Sequence, residues 1–207
     1  MNRSAIKERL RARLLEVRRE MAFEEVYRLS LRVQKRFLRS PLYRNAGRLA
    51  LYSSFSNEVL TDELFQKANE EGKEVYYPRV IKAGRSHLAF FRVAHLKELK
   101  PGSYEIPEPE EKEARVTAAT FDLVVVPGVA FDLTGARVGF GKGYYDMALE
   151  GFKCPVVALA YDFQVVNELI PSEPHDVRVS AIVTEKRIVR TSAGAQAGTT
   201  KERRERG

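Results

Sequence analysis

The sequence predicts an α/β fold: one layered, mostly parallel sheet with helices on both faces, preceded by a pair of N-terminal helices. Three observations carry this. Helical and strand-like periods alternate along the chain. Two runs, 121–126 (FDLVVV) and 155–161 (PVVALAY), are apolar at nearly every position rather than at alternate ones, as strands buried on both faces are. The densest glycine stretch, GFGKGYYD at 139–146, follows the first of those runs. Open α/β sheets bind ligands in that kind of place, beyond the carboxyl ends of strands and near a switch in strand order.

The elements follow in order. Residues 4–22 carry Ile6, Leu10, Leu14, Val17 and Met21 on one helical face. Residues 24–39 repeat the pattern with Val26, Leu29, Val33 and Phe37. The period then shortens, and 48–55 (RLALYSSF) reads as a strand. Residues 57–61 form a loop; Thr61 is placed to N-cap a helix with Asp62 and Glu63 in its first turn and Gly72 at its end. Residues 74–81 and 87–93 read as a hairpin about AGRS (83–86). Residues 94–118, centred on PGSYEIPEPE, are mostly loop. Pro127 and Gly128 stop the 121–126 strand, a loop carries the glycine stretch, and 144–149 open a helix. After the 155–161 strand come a short helix over 163–169 and two strands, 179–184 and 187–190, about a Glu185-Lys186 turn. Residues 191–207 are small and polar, then charged, and predict a disordered tail behind a single domain at 1–190.

Composition narrows the class. The chain has 207 residues, 44% hydrophobic and 30% charged, which suits a soluble globular domain. No apolar run approaches the roughly 18–20 residues of a membrane span, and the charged N-terminus lacks the apolar core of a secretory signal. With Cys154 as its one cysteine the chain forms no internal disulfide, which fits a cytoplasmic location. The net charge of +7 is concentrated: residues 1–44 hold 13 Lys/Arg against 5 Asp/Glu, a balance of +8. Such a segment suits nucleic acid, an anionic membrane surface or a phosphorylated ligand.

The glycine stretch fits neither a dinucleotide fingerprint, which needs glycine where Tyr144 stands, nor a Walker A loop, which needs glycine at Ala136 and Ser or Thr at Gly143. Its chemistry survives both failures. Each glycine costs roughly 0.5–1 kcal/mol relative to Ala inside a regular element, so the sequence tolerates them for another reason. Backbone N–H groups between a strand and a helix start make an anion site, and Lys142 adds a charge suited to phosphate. Asp146 offers oxygen to a hard cation. The competing reading is a flexible turn whose tyrosines merely pack. Lys7 and Arg11 share a helix edge, with Arg18 further along it; like charges at that spacing cost about 0.2–0.5 kcal/mol, which an anion between them would reverse. A solvated basic face is the alternative. Tyr77, Phe90 and Phe91 read as core aromatics.

Four stretches together resemble the 5-formyltetrahydrofolate cyclo-ligase family: RVGFGKGYYD (137–146), KERLR (7–11), SNEVLTDEL (56–64), and IPSEPHDVRVSAIVTE (170–185) with Gln164 before it. The resemblance runs over about residues 4–185. It implies a sheet of the ribose-5-phosphate-isomerase and CoA-transferase type. It further implies an ATP-dependent ligase that closes 5-formyltetrahydrofolate to 5,10-methenyltetrahydrofolate with Mg²⁺, through a phosphorylated formyl oxygen. On that basis Lys7, Arg11 and Lys142 are expected to be catalytic. Lys7, Arg11, Arg137, Gly139, Gly141, Lys142, Gly143, Tyr144 and Tyr145 are expected to hold ATP. Ser53, Glu58 and Tyr144 would meet the folate, and Asp146 and Asp176 the metal. His175 is expected to be a bystander. The protein is expected to act as a monomer on small molecules, without a membrane or a specific nucleic acid. There are departures: the family usually has Gly at Glu105, Arg commonly at Met147, Asp at Ser180, and in some members Arg at Phe140. Two other readings compete, a sugar-phosphate isomerase-like or regulatory phosphate-binding protein, and a basic RNA-binding module.

Overall fold

Apolar residues at every third or fourth position produce the first two helices, α1 (Arg3–Glu20) and α2 (Phe23–Leu38), followed by a single turn, α3 (Pro41–Arg44). The chain then alternates: β1 (Arg48–Ala50), α4 (Asp62–Glu70), β2 (Glu74–Ile81), β3 (His87–Arg92), β4 (Lys100–Pro101), β5 (Pro107–Glu108), β6 (Leu123–Val126), β7 (Ala130–Asp132), β8 (Arg137–Val138), α5 (Tyr144–Leu149), β9 (Val156–Leu159), β10 (Val165–Val166), β11 (Ala181–Val183) and β12 (Ile188–Arg190). This computed structural model describes residues 3–82, 84, 86–111, 121–173 and 176–194. Ala83 and Arg85 of the predicted turn, residues 112–118 of the predicted loop, His175, and 195–207 of the predicted tail lie outside the described residues.

The main sheet has seven strands in the order β12-β11-β9-β6-β1-β2-β3. The five inner strands pair in parallel, and both edge strands run antiparallel. Period-2 alternation divides its core in two. Leu49, Leu123, Val125, Val157 and Leu159 pack beneath α2 and α4 with Val33, Phe37, Leu64 and Phe65. Ala50, Val124, Val126, Val156 and Ala158 face the other way, toward Leu149 of α5 and Phe90 and Phe121. Helices therefore cover both faces, as the doubly apolar runs require. Tyr77, Phe90 and Phe91 are buried core residues, as read from the sequence.

Four local expectations are corrected. The segment after Pro127-Gly128 is not only loop: β7 and β8 form a hairpin, and β10 joins it as a second, three-stranded sheet β10-β7-β8. Buried Asp132 closes its turn by accepting from the N–H groups of Thr134, Ala136 and Ile170. The helix expected over 163–169 is a 3₁₀ turn at Asp162–Gln164 that runs straight into β10. Gln164 drives this by donating to Gly128 O and Val129 O instead of continuing a helix. Thr61 stands at the N-cap of α4, but its hydroxyl donates to Tyr52 O, and the Leu64 N–H is met by Gln34 Oε1. The 48–55 strand is also shorter than read, because the chain leaves the sheet after Ala50 to build the loop described below.

The small sheet positions α1. Leu10 and Leu14 pack on Val129, Ala130, Ala136 and Val138, which sets the first helix beside the glycine stretch.

The hairpin β4-β5 carries the Glu105 departure. Tyr104 and Glu105 both adopt left-handed backbone, φ 60° and 59°. A side chain there costs about 1–2 kcal/mol, which is the physical reason for glycine at that place. Glu105→Gly is therefore expected to stabilise the fold by about 0.5–1 kcal/mol, after allowing for glycine's extra freedom in the unfolded chain, and to raise the melting temperature by about 1–4 °C. Thermal and urea melts of the two proteins check this.

Candidate active site

Strand order reverses between β1 and β6: from β1 the chain moves out to β2 and β3, then returns to β6 on β1's other side. Loops leaving the carboxyl ends of two such strands diverge and leave a crevice. Here Tyr52, Ser53, Phe55 and Glu58 come from the loop after β1, and Pro127 and Gly128 from the end of β6, to line a cavity of about 590 Å³. The glycine stretch, α1 and the β4-β5 hairpin supply its other walls. Every site residue expected from the sequence lies on this one cavity: Lys7, Arg11, Ser53, Glu58, Arg137, Gly139, Gly141, Lys142, Gly143, Tyr144, Tyr145, Asp146 and Asp176.

The glycine stretch owes its composition to two things. Gly141 and Gly143 take left-handed backbone, φ 97° and 66°. At Gly139 an added Cβ would meet no protein atom within 4 Å. Its missing side chain thus makes no room for the protein itself. Arg11 Nε donates to Gly139 O at 2.9 Å and braces the loop from α1. The helix that follows, α5, has only six residues, so its dipole is small.

Two ion pairs flank the stretch. Lys7 Nζ meets Asp176 Oδ2 at 2.9 Å, and Arg137 Nη2 meets Asp146 Oδ1 at 2.9 Å. Each acid is further oriented by a backbone donor: Glu173 N–H to Asp176 Oδ2, and Val177 N–H to Asp146 Oδ1. Arg137 also lies 5.4 Å from the Tyr145 ring centre. Burial holds the Tyr145 phenol far above its ordinary pKa, so it stays a neutral wall. Tyr144 faces Tyr104 across the cavity, and that neighbouring phenol raises the Tyr144 pKa. Ser53 donates to Pro107 O, which ties the β1 loop to the β4-β5 hairpin.

The two aspartates line the same cavity. Among the described residues no three His, Cys, Asp or Glu side chains stand together as a cation cage. Two carboxylates suit a magnesium ion that brings most of its shell as water and phosphate oxygen.

Glu58 is 3% exposed. Burial pushes its pKa up to about 7, against the pull of Arg18 and of the Phe55 N–H at 3.3 Å. Arg18 corrects one expectation. It does not continue the Lys7–Arg11 edge toward an anion but is 1% exposed beneath the cavity, donating to Ser56 O and Gly128 O. Much of the remaining basic character is likewise spent on tertiary contacts. Arg9 and Arg13 pair with Glu168, and Arg36 donates to Thr184 O and Glu185 O.

The sequence reading missed Phe55, Ser103, Tyr104 and Glu108 on the cavity wall. A signal for one of them existed: Tyr104 is a large aromatic inside a Pro/Gly-rich loop. Phe140, read only as a departure, packs at a tilt against Phe55 with ring centres 4.8 Å apart. Nothing in the structure explains Met147 at its position. Ser180 bonds Val156 O through both its N–H and its hydroxyl, which joins the strand edges there.

Comparison with known proteins agrees with this geometry. A solved structure of 5,10-methenyltetrahydrofolate synthetase from Aquifex aeolicus superposes with a TM-score of 0.78 at 38% identity, covering 90% of this chain and 93% of that one. The Mycoplasma pneumoniae synthetase gives 0.68 at 25% identity, covering 86% and 98%. The 5-formyltetrahydrofolate cyclo-ligase of Mus musculus is 30% identical over 194 residues, 88% of this chain and 95% of its own. The sequence model of the 5-formyltetrahydrofolate cyclo-ligase family matches residues 3–185, which takes in α1, the β1 loop, the glycine stretch and Asp176. A match that long, over a cavity built from those same segments, makes the chain a member of the 5-formyltetrahydrofolate cyclo-ligase family.

Proposed function

We propose a division of labour in this cavity for the ATP-dependent closure of 5-formyltetrahydrofolate to 5,10-methenyltetrahydrofolate, the activity of the ligase family to which the chain belongs. The observation that carries it is the convergence of four cations, Lys7, Arg11, Arg137 and Lys142, and two aspartates on one glycine-lined wall. The phosphates of ATP lie along the N–H groups of Gly139 to Gly143 with Lys142. Lys7 and Arg11 offset charge on the phosphoryl group in transit, because catalysis of such transfers is mainly positioning and electrostatics. The formyl oxygen attacks the γ-phosphorus and ADP leaves. N10 of the folate then attacks the activated formyl carbon, the ring closes, and the former formyl oxygen departs with inorganic phosphate, which takes up the proton that N10 loses. Glu58 accepts a folate N–H, Ser53 lines the same end, and Tyr144 and Tyr145 wall the junction of the two substrates.

The two ion pairs support this assignment. Each holds one cation and one carboxylate together without ligand. When MgATP enters, Lys7 and Arg137 turn to phosphate, and Asp176 and Asp146 would hold magnesium, directly or through water. Magnesium supplies neutralisation of phosphate charge. We further assign the fold to the ribose-5-phosphate-isomerase and CoA-transferase type, and read residues 1–190 as one domain working as a cytoplasmic monomer. The family match in one continuous span supports the single domain.

The direct test mixes the protein with 5-formyltetrahydrofolate, Mg²⁺ and ATP and follows the near-ultraviolet absorbance of the methenyl product. ATP-dependent growth is expected; its absence with folded protein would remove the substrate. Lys142→Ala is expected to raise KM for MgATP about tenfold or more while folate affinity holds, since it removes one charge-assisted contact. Loss of folate binding with ATP affinity intact would reverse the division of the site. Asp146→Asn is expected to lose activity that added magnesium partly restores, and indifference to the change would take Asp146 out of the metal shell. The pH dependence follows from Glu58. Its raised pKa leaves it neutral below about 7 and ionised above, and the ionised form is the better acceptor. Folate kcat/KM is expected to climb about tenfold per pH unit up to near 7 and then level, and Glu58→Gln to flatten that climb.

A further inference from the structure

Beneath the cavity floor Arg18 and Glu58 form a pair that does not close. Arg18 reaches up from the last turn of α1. Its Nε donates to Ser56 O at 2.8 Å and its Nη1 to Gly128 O at 3.3 Å. That leaves Nη1 3.9 Å from Glu58 Oε1, with both side chains all but fully buried. A bond made for stability would bring a guanidinium and a carboxylate to about 2.7–2.9 Å, often two-pronged. Here Arg18 Nη2 and Glu58 Oε1 are buried without a hydrogen-bond partner. Buried polar atoms are nearly always satisfied, and exceptions mark sites completed by something else. Glu58 lines the cavity, Oε2 is engaged by the Phe55 N–H, and Oε1 is the atom left over.

The surroundings make Arg18 the control on Glu58. The groups facing Glu58 are Arg18 from α1, Tyr52 from the β1 loop, Tyr145 from α5 and Tyr161 after β9. The Tyr161 hydroxyl donates to the Glu58 backbone carbonyl rather than to its carboxylate. Burial raises all three phenols, so they remain neutral, and Arg18 is the cation that acts on the acid. The Arg18 guanidinium also lies 5.4 Å from the Phe140 ring centre, which connects it to the glycine loop.

We propose that Arg18 is a positioning residue: held by two backbone carbonyls, it favours the ionised form of the buried Glu58 carboxyl group against the cost of burial, while leaving Oε1 unspent for an N–H donor of the ligand. This rests on the reading that Glu58 meets the folate. It adds a residue that touches no substrate yet sets how the acid binds one.

The test needs a readout independent of turnover. Carbon-13 NMR of labelled glutamate, assigned with Glu58→Gln, follows the Glu58 titration in ligand-free protein. Arg18→Met is expected to move its midpoint up by about one pH unit or more. The climb of folate kcat/KM with pH should move up equally, with KM for MgATP within about twofold. Arg18→Met combined with Glu58→Gln should lose no more than Glu58→Gln alone, as expected of residues acting as one unit. Arg18→Lys keeps the charge but not the fork, and is expected to leave the midpoint in place yet raise folate KM about tenfold. An unmoved Glu58 midpoint in Arg18→Met would overturn the proposal, as would equal losses for folate and ATP. If Arg18→Met does not fold, Arg18→Lys decides, and wild-type folate KM in that variant also counts against it. A shifted midpoint in a protein that fails to bind 5-formyltetrahydrofolate would instead sink the substrate reading and leave the Arg18–Glu58 coupling standing.

Discussion

The buried contact of Arg18 with the 56–58 turn is the constraint on which the site depends. Ser56 and Asn57 both take left-handed backbone, φ 49° and 57°, a conformation that needs outside support. The support is reciprocal. Arg18 donates to Ser56 O, while Asn57 Nδ2 donates to Arg18 O and Met21 O and closes the carboxyl end of α1. The turn therefore holds the helix and the helix holds the turn. Glu58 is delivered to the cavity as a result. Burying the two charges is costly, and removing one partner of such a pair typically destabilises by about 3–5 kcal/mol because the other charge is left alone in an apolar place. An arginine keeps its proton, so the compromise falls on the carboxyl group, whose pKa rises to about 7.

The second sheet turns that constraint into a functional wall. Without β7, β8 and β10 the first helix would have no apolar surface to lie on, and Lys7 and Arg11 would project from a loose arm. Leu10 and Leu14 seat on the hairpin, and the glycine stretch leaves that hairpin directly from β8. Gly128 O ties the pieces together by accepting from both Arg18 and Gln164. The glycine loop and the cations beside it are thus mounted on two packed layers. That is the rigidity that positional catalysis requires.

Against this rigid floor the opposite wall carries strain. Tyr104 and Glu105 hold left-handed backbone at the tip of the β4-β5 hairpin, where Glu108 folds beneath Gly102 closely enough that a Cβ there would lie 2.5 Å from its carboxyl carbon. Tyr104 projects from that tip toward Tyr144. The cavity lies between a braced side and a strained one, and ligand-binding segments are commonly drawn from the less stable end of a fold.

Short-range chemistry was legible in the sequence. The bounds of β2 and α5 match their reading, because alternation, glycine punctuation and apolar spacing act within a few residues. The glycine stretch offered a candidate anion site, and with three other motifs it pointed to the family that the chain belongs to. What the sequence left undecided were matters of distance and burial. Lys7 and Asp176 are 169 residues apart and meet only because α1 lies on the small sheet. Arg18 sits seven residues from Arg11, and a charge pattern shows the shared helix edge without showing that one end of it is roofed by the β1 loop. Gln164 and Arg18 bond to partners 36 and 38 residues away, and local propensity cannot weigh a hydrogen bond whose other half arrives from another element. The sequence by itself determined the parts and their chemistry. The tertiary structure decided which charges face the ligand and which are buried, because desolvation depends on everything packed around a group rather than on its neighbours in the chain.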